Sequence, residues 1–374
     1  NHILDLPLGR LTELGQKELN DELKALLKTI KELTALLKSS SKVKELIVTD
    51  LNEFVNTLDA KRKTKIEKAD SGDLETTALV AEEDLVINVS ARKYIKAVQM
   101  SSKASKIAST KDRDSISNVY ELTSLQSILV ITNLGRAYRI PCFDLPKDRL
   151  SAVSSMVSLT SGEKPIAVLD IENVSSIAMI TNLGGIKKVE ADALKEIATR
   201  KDGVVCAKLS SNEKLVSAIE VHDDPDHQLL IVSKNGIGIR FQLDSLRCVS
   251  RSAGTVRAMK LKADDEVVSA VSVYEDDDCI ITTDAAYAKR LHVNAMTLQS
   301  RGGSGMKAMR IAPSRGEVVD VCIALGDQTC FLTETSSKEI NTTDIALQDR
   351  EGSGTKIKGI EGAVLAISPI VDVV

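Results

Sequence analysis

The chain has 374 residues, with 49 Lys and Arg against 53 Asp and Glu, a formal net charge of −4, 43% hydrophobic and 27% charged residues, and 2% aromatics. This is the composition of an ordinary folded protein long enough for two or more domains. With no Trp and few aromatic rings, base stacking is excluded as a main binding mode; the apolar runs are strand-length, so no membrane span is expected, and no secretory leader pattern precedes the first helix.

The sequence opens at Asn1 inside an apolar pattern, so it is expected to be part of something longer. The stretch ILDLPLGRLTELGQKEL places Thr12 as an N-cap ahead of Glu13 and Gln16. From there Leu19, Leu23, Leu26, Ile30, Leu33 and Leu37 alternate steps of four and three, the a/d seam of a coiled-coil helix. Ser39, Ser40 and Ser41 interrupt the seam, and Val43, Ile47, Leu51, Phe54 and Leu58 predict a second helix. Two readings stay open here: a helical hairpin packed on the rest of its own chain, and part of a dimer stem. Residues 69–83 are acidic and without a period, and read as a linker. The expected division is therefore a helical segment over 1–68, the linker over 69–83 and a β domain over 84–374.

The β domain is a repeat. ILVITNLGRAYRI, IAMITNLGGIKKV, LLIVSKNGIGIRF and CIITTDAAYAKRL each set an apolar run before a hydroxyl residue, a turn and a second strand. In these four copies a cation follows the hydroxyl by seven residues: Thr132 to Arg139, Thr181 to Lys188, Ser233 to Arg240 and Thr283 to Arg290. The period is about 50 residues, in the range of repeat architectures. LVINVSARKYIKAV is an earlier copy, with Arg92 and Lys93 in its turn and Lys96 beside the matching position, and TCFLTETSSKEIN a last copy without the cation. Each copy reads as a β-hairpin. A second half follows, RKDGVVCAKL, RSAGTVRAMKL, RGGSGMKAMRI or REGSGTKIKGI. Two hairpins per unit would make a four-stranded blade, and six blades a radial, propeller-like β disc.

Charge carries the functional signal. Residues 1–70 hold 13 cations against 12 acids and residues 71–374 hold 36 against 41. Acids cluster before each new unit, in HDDPD, ADDE and EDDD. Cations gather after the turn (Arg136, Arg139, Lys187, Lys188, Arg240, Lys289, Arg290) and around the second loop (Arg251, Arg257, Lys260, Arg301, Lys307, Arg310). Equal phase predicts equal placement on successive blades. A basic rim separated from acid by more than a Debye length of roughly 8–10 Å attracts a polyanion despite the net charge. Two phosphates met by each of five blades would give a salt slope of about −9.

Catalytic patterns are sparse: there is no P-loop and no HExxH. HDDPDH, from His222 to His227, has ligand-type residues, though such a sequence is more often a polar turn. The five tyrosines read as packing residues. The six cysteines, Cys142, Cys206, Cys248, Cys279, Cys322 and Cys330, form no CxxC pair and are expected to be reduced thiols of a cytosolic protein.

The opening ILDLPLGRLTELGQKEL with DELKALLKTIKEL resembles the end of the breakage-reunion core of bacterial type IIA topoisomerase A subunits, and the repeats, with TNLGRAYRI, NGIGIRF and AGTVRAMKL, resemble the six-bladed β-pinwheel that follows that core. The resemblance implies a domain that binds and bends duplex DNA, with the cations named above as its contacts. It implies no catalytic tyrosine, cofactor or metal within these residues, and magnesium and ATP used through a partner B subunit. It further implies a homodimeric, ATP-dependent enzyme acting in the cytoplasm at the nucleoid. Gyrase A subunits carry a QRRGGKG box in the first blade; KASKIASTKDRD stands there, and Gln299 to Gly305, QSRGGSG, is only a partial likeness in the fifth unit. The departure favours topoisomerase IV, which decatenates and relaxes, over gyrase. An alternative from another class is a propeller-like protein-interaction scaffold.

Overall fold

The computed structural model describes residues 13–58, 80–100, 114–197, 199 and 202–370. The chain divides into two units, Asn1–Asp73 and Leu74–Val374. The expected Thr12 cap, most of the 69–83 linker and most of KASKIASTKDRD lie outside the described residues.

The first unit holds α1 (Glu13–Leu37) and α2 (Ser40–Leu58). The break comes at Ser39, whose Oγ accepts from the Lys42 amide at 3.5 Å and so caps the new helix. The leucine seam stays open to solvent: Leu19 is 43% and Leu37 79% exposed.

The second unit is a ring of six small sheets. Blade four shows the plan. Its hairpin pairs Gln228–Ser233 with Ile237–Gln242, Val267–Val273 flanks the first of these, and Met306–Lys307 flanks the second. That last strand belongs to the following unit. The same exchange gives Ser151–Ala152, Val204–Val205, Val256–Arg257 and Thr355–Lys356 to blades one, two, three and five. This corrects the two-hairpin expectation: the second half of a unit does not fold on itself, because its first strand crosses to the preceding blade and only its last strand returns. The sixth sheet has three described strands, Gln328–Thr333, Ser337–Asn341 and Val364–Pro369.

Each blade is covered on both faces by its neighbours, so its central strand is apolar in runs rather than alternating. Ser127–Thr132, Ser176–Thr181 and Gln228–Ser233 are buried at every residue. Five apolar clusters fill the seams between consecutive blades, from Ile87 and Val130 in the first to Ile280 and Phe331 in the fifth. The contact of blade six with blade one is polar: Arg92 Nη2 donates to Thr333 O at 2.6 Å and Ser336 O at 2.9 Å, and Ser115 Oγ donates to Glu339 at 3.0 Å.

The hydroxyl residue of the template ties its own turn. Thr181 Oγ1 accepts from the Gly185 amide at 3.0 Å, and Thr132, Ser233 and Thr283 do the same for Arg136, Ile237 and Tyr287. Gly236 is needed for two reasons: its φ is +75°, and a Cβ there would collide with Met309 O, where the exchanged strand of the next unit passes. The flanking third strands pack on one another around the axis, stitched by bonds between blades. Ser217 accepts from the Ala270 amide at 3.0 Å and Asp320 from the Ile367 amide at 2.9 Å. The strand order in the first five blades thus runs from the third strand at the axis, through the hairpin, to the exchanged strand at the rim.

Candidate nucleic-acid interface

The cations on the second hairpin strand are largely committed inside the ring. Lys187 and Lys289 are 1% and 0% exposed and donate to backbone carbonyls, and Arg240 is 4% exposed with Glu275 at 4.0 Å. The expectation that these three face a polyanion is corrected: the segment after the next hairpin crosses the same strand and covers it. Bridges of Lys188 with Cys248, Arg240 with Leu298 and Arg290 with Leu347 mark that crossing. Arg139 donates to Lys195 O at 2.7 Å, Lys188 to Leu243 O at 3.3 Å, and Arg290 pairs with Asp278 at 3.4 Å. Arg136 donates to Gly203 O at 2.8 Å, close to Glu163 at 4.0 Å. In the first blade Arg92 bonds blade six, and Lys93, at φ +64°, is half-buried. Burial lowers the Lys93 pKa against the opposing pull of Asp320 and Asp114. Lys96 is half-buried.

The second-loop cations are different. Arg257, Lys260, Arg301, Lys307 and Arg310 are exposed, and Arg251 is half-exposed. All lie on or beside exchanged strands. Sequence reasoning missed Lys208, Lys356 and Lys358, which are exposed on the same segments. Their signal was available: Lys208, Lys260 and Arg310 share one phase of CAKL, AMKL and AMRI, and Arg257, Lys307 and Lys356 share another. Lys208, Arg257, Lys260, Lys307 and Arg310 form no ion pair within 4.0 Å with a described acid.

These segments are joined edge to edge along the rim. Gly302 N donates to Ala258 O at 2.7 Å, Lys260 N to Gly303 O at 2.8 Å and Arg310 N to Gly352 O at 3.1 Å, while Arg301 Nη1 reaches Arg257 O at 3.1 Å. The exchanged strand pairs at the turn end of the hairpin, as in Ile237 with Lys307. Of the acidic connections, those at Asp223, Asp226 and Asp276 join the opposite end, where Gln228 pairs with Gln242, whereas Asp264, Asp265 and Glu266 lie at the turn end, where Val267 pairs with Ser233 and Asp265 accepts from Ser233 Oγ at 2.8 Å. A six-residue strand sets the first of these groups about 20 Å from the exchanged strands, beyond the screening distance, so the rim is remote from those two acidic clusters, though not from the one at residues 264–266.

Other candidate chemistry is absent from the described part of the ring. His227 is buried, its Nε2 against Ser272 Oγ and its ring stacked on Tyr274, and Tyr274 donates to Asp224 at 3.1 Å. HDDPDH is therefore a folded turn, and no group of three or more metal-ligating side chains occurs among the described residues. All six cysteines are free, five of them buried. No described helix is long and apolar enough to cross a membrane.

The ring matches a known architecture. A family model described as DNA gyrase C-terminal domain, beta-propeller, matches residues 126–147, 175–222, 227–273 and 277–321, a pattern set by the repeat. The DNA gyrase A subunit of Clostridium acetobutylicum is 31% identical over 387 residues, covering 98% of this chain and 46% of the relative. That of Helicobacter pylori strain J99 is 29% identical, covering 95% and 45%. The chain belongs to the type IIA topoisomerase A-subunit family. It spans about half the length of the curated relatives it matches. Among solved structures, the C-terminal domain of DNA topoisomerase IV aligns with a TM-score of 0.67 and 21% identity over 77% of this chain and 93% of that one. The DNA gyrase A C-terminal domain aligns at 0.59 and 20% over 77% and 100%. These neighbours show the fold, and this ring is a C-terminal domain of a type II topoisomerase A subunit.

Proposed function

We propose that the ring holds duplex DNA along its rim by phosphate contact, bending or presenting it for strand passage by an ATP-dependent type II topoisomerase. The observation that carries this reading is the row of exposed cations repeated on the exchanged strands and just after them: Lys208, Arg257, Lys260, Lys307, Arg310, Lys356 and Lys358. In the whole enzyme the partners would be a B subunit, which supplies ATP hydrolysis and magnesium, and another copy of the present chain, working at the nucleoid in the cytoplasm. Decatenation and relaxation are the favoured outcome, because the first unit carries KASKIASTKDRD rather than a QRRGGKG box. Wrapping for negative supercoiling is the second reading, favoured by relatives named as DNA gyrase A subunits.

Seven rim cations, each displacing about one counterion, lower the expected salt slope to about −6. Measuring duplex affinity from low to moderate salt tests this, and a slope near zero would defeat the phosphate reading. Ligating nicked circular DNA in the presence of the chain separates the two outcomes. An unshifted linking number with binding intact supports bending without chirality, and a positive shift that grows with protein supports gyrase-type wrapping.

A further inference from the structure

Lys187 and Lys289 stand at the same place in blades three and five, six residues after the turn hydroxyl. Lys187 Nζ donates to Cys206 O at 2.8 Å, Arg251 O at 2.5 Å and Ala253 O at 2.9 Å. Lys289 Nζ donates to Asp349 O at 2.7 Å and Arg350 O at 3.0 Å. Neither pairs with a described acid within 4.0 Å. A buried ammonium without a carboxylate pays for desolvation and recovers it through N–H bonds. Apart from Cys206 O, beside the exchanged strand of blade two, the carbonyls so gathered belong to one loop, the loop that leads into the exchanged rim strand of the lysine's own blade.

The corresponding loops of blades two and four are held by different means. In blade two Arg136 bonds Asp202 O at 3.3 Å and Gly203 O at 2.8 Å, and Tyr138 fills the lysine's place so tightly that a Cβ on Gly203 would lie 2.5 Å from its ring. In blade four the place is taken by Ile239, and the loop is fixed from outside by the Gly302 and Lys260 backbone bonds. Side chains change from blade to blade while the loop stays anchored.

We propose that Lys187 and Lys289 are positioning residues of the rim. Each fixes the loop that the next unit lays on its blade, and so holds Arg251 and Arg257, or Arg350 and Lys356, where a duplex backbone would meet them. The proposal rests on the nucleic-acid reading above for its function, and on geometry alone for the anchoring.

The test uses Lys187→Met and Lys289→Met in the full chain, since methionine keeps most of the volume and drops the donors. Without DNA, amide exchange should quicken in loop 250–254 for the first variant and loop 349–353 for the second, with the axial strands unchanged. With DNA, affinity should fall about three- to tenfold, and the loss from Arg257→Ala should shrink by at least about threefold in the Lys187→Met background. That non-additivity is a readout a purely structural lysine would not move. Lys187→Gln and Lys289→Gln, which keep a neutral donor, serve in place of any methionine variant that does not fold, and Lys→Arg should restore both loop protection and affinity. Loop exchange unchanged in the variants overturns the anchoring, even with wild-type binding and its salt slope intact. Quickened exchange with additive losses overturns the positioning role. Absence of salt-dependent binding by the wild-type chain defeats the nucleic-acid reading and the positioning role with it, whatever the loops do.

Discussion

In blade three Lys187 lies one strand inward from Arg257, and the two cations meet opposite surroundings. The strand carrying Lys187 is covered by the next unit, so its ammonium ends among carbonyls. Arg257 lies on the covering strand itself and faces solvent. Blade five repeats the contrast, with Lys289 fully buried and Lys356 exposed, the latter donating to Ala285 O at 2.5 Å. The lesson is that strand exchange sorts charge: one layer becomes internal hydrogen bonding and the other becomes field.

Charge reversal should break this comparison most strongly. Lys289→Glu sets a carboxylate against the Asp349 and Arg350 carbonyls and should cost about 4 kcal/mol or more of folding stability. Denaturant unfolding measures it. Arg257→Glu should change stability by no more than about 0.5 kcal/mol and reduce the magnitude of the duplex-binding salt slope by about two. Equal stability losses from the two variants would remove the distinction between layers.

Titration sharpens it. Burial lowers Lys289 to about 8 from its ordinary 10.5. Between these values the unfolded chain holds the proton more tightly, so this group makes stability rise with pH from about 8 to 10.5 and contributes no slope below pH 8, where both states are protonated. The stability of wild type minus that of Lys289→Met should climb across that window, and a flat difference would mean that burial exerts no cost on the ammonium.

The smallest effect concerns the turn beneath these cations. Ala286 sits at φ +57°, where Gly135, Gly184 and Gly236 occupy the same point of their turns. Ala286→Gly should stabilise the chain by about 1 kcal/mol, since a left-handed alanine is strained. Denaturant midpoints would show it, and a destabilised variant would mean that the Cβ packing outweighs the strain.

Much of this was legible in the residues. The hydroxyl, turn and apolar run recur with fixed spacing because each unit must tie the same hairpin, and that periodicity predicted six blades. The alternation of acidic and basic phases likewise predicted a charged rim. Which cations form the rim was not legible. Arg240 and Arg257 both recur in phase, and the stronger repeat, seven residues after the hydroxyl, marked the covered strand. Position in a repeat specifies equivalence among blades, but not whether a strand is inside or outside.

By itself the sequence determined the repeat, its strands and turns, and the charge carried by each segment, because these depend on neighbours along the chain. The tertiary structure decided that the second half of a unit crosses to the blade before it, that Arg92 bonds blade six, and that Lys187 and Lys289 are buried. Pairing between Gly185 and Arg257, 72 residues apart by their numbering, depends on how blades stack around an axis. No local pattern encodes that contact, since burial is a property of the closed ring.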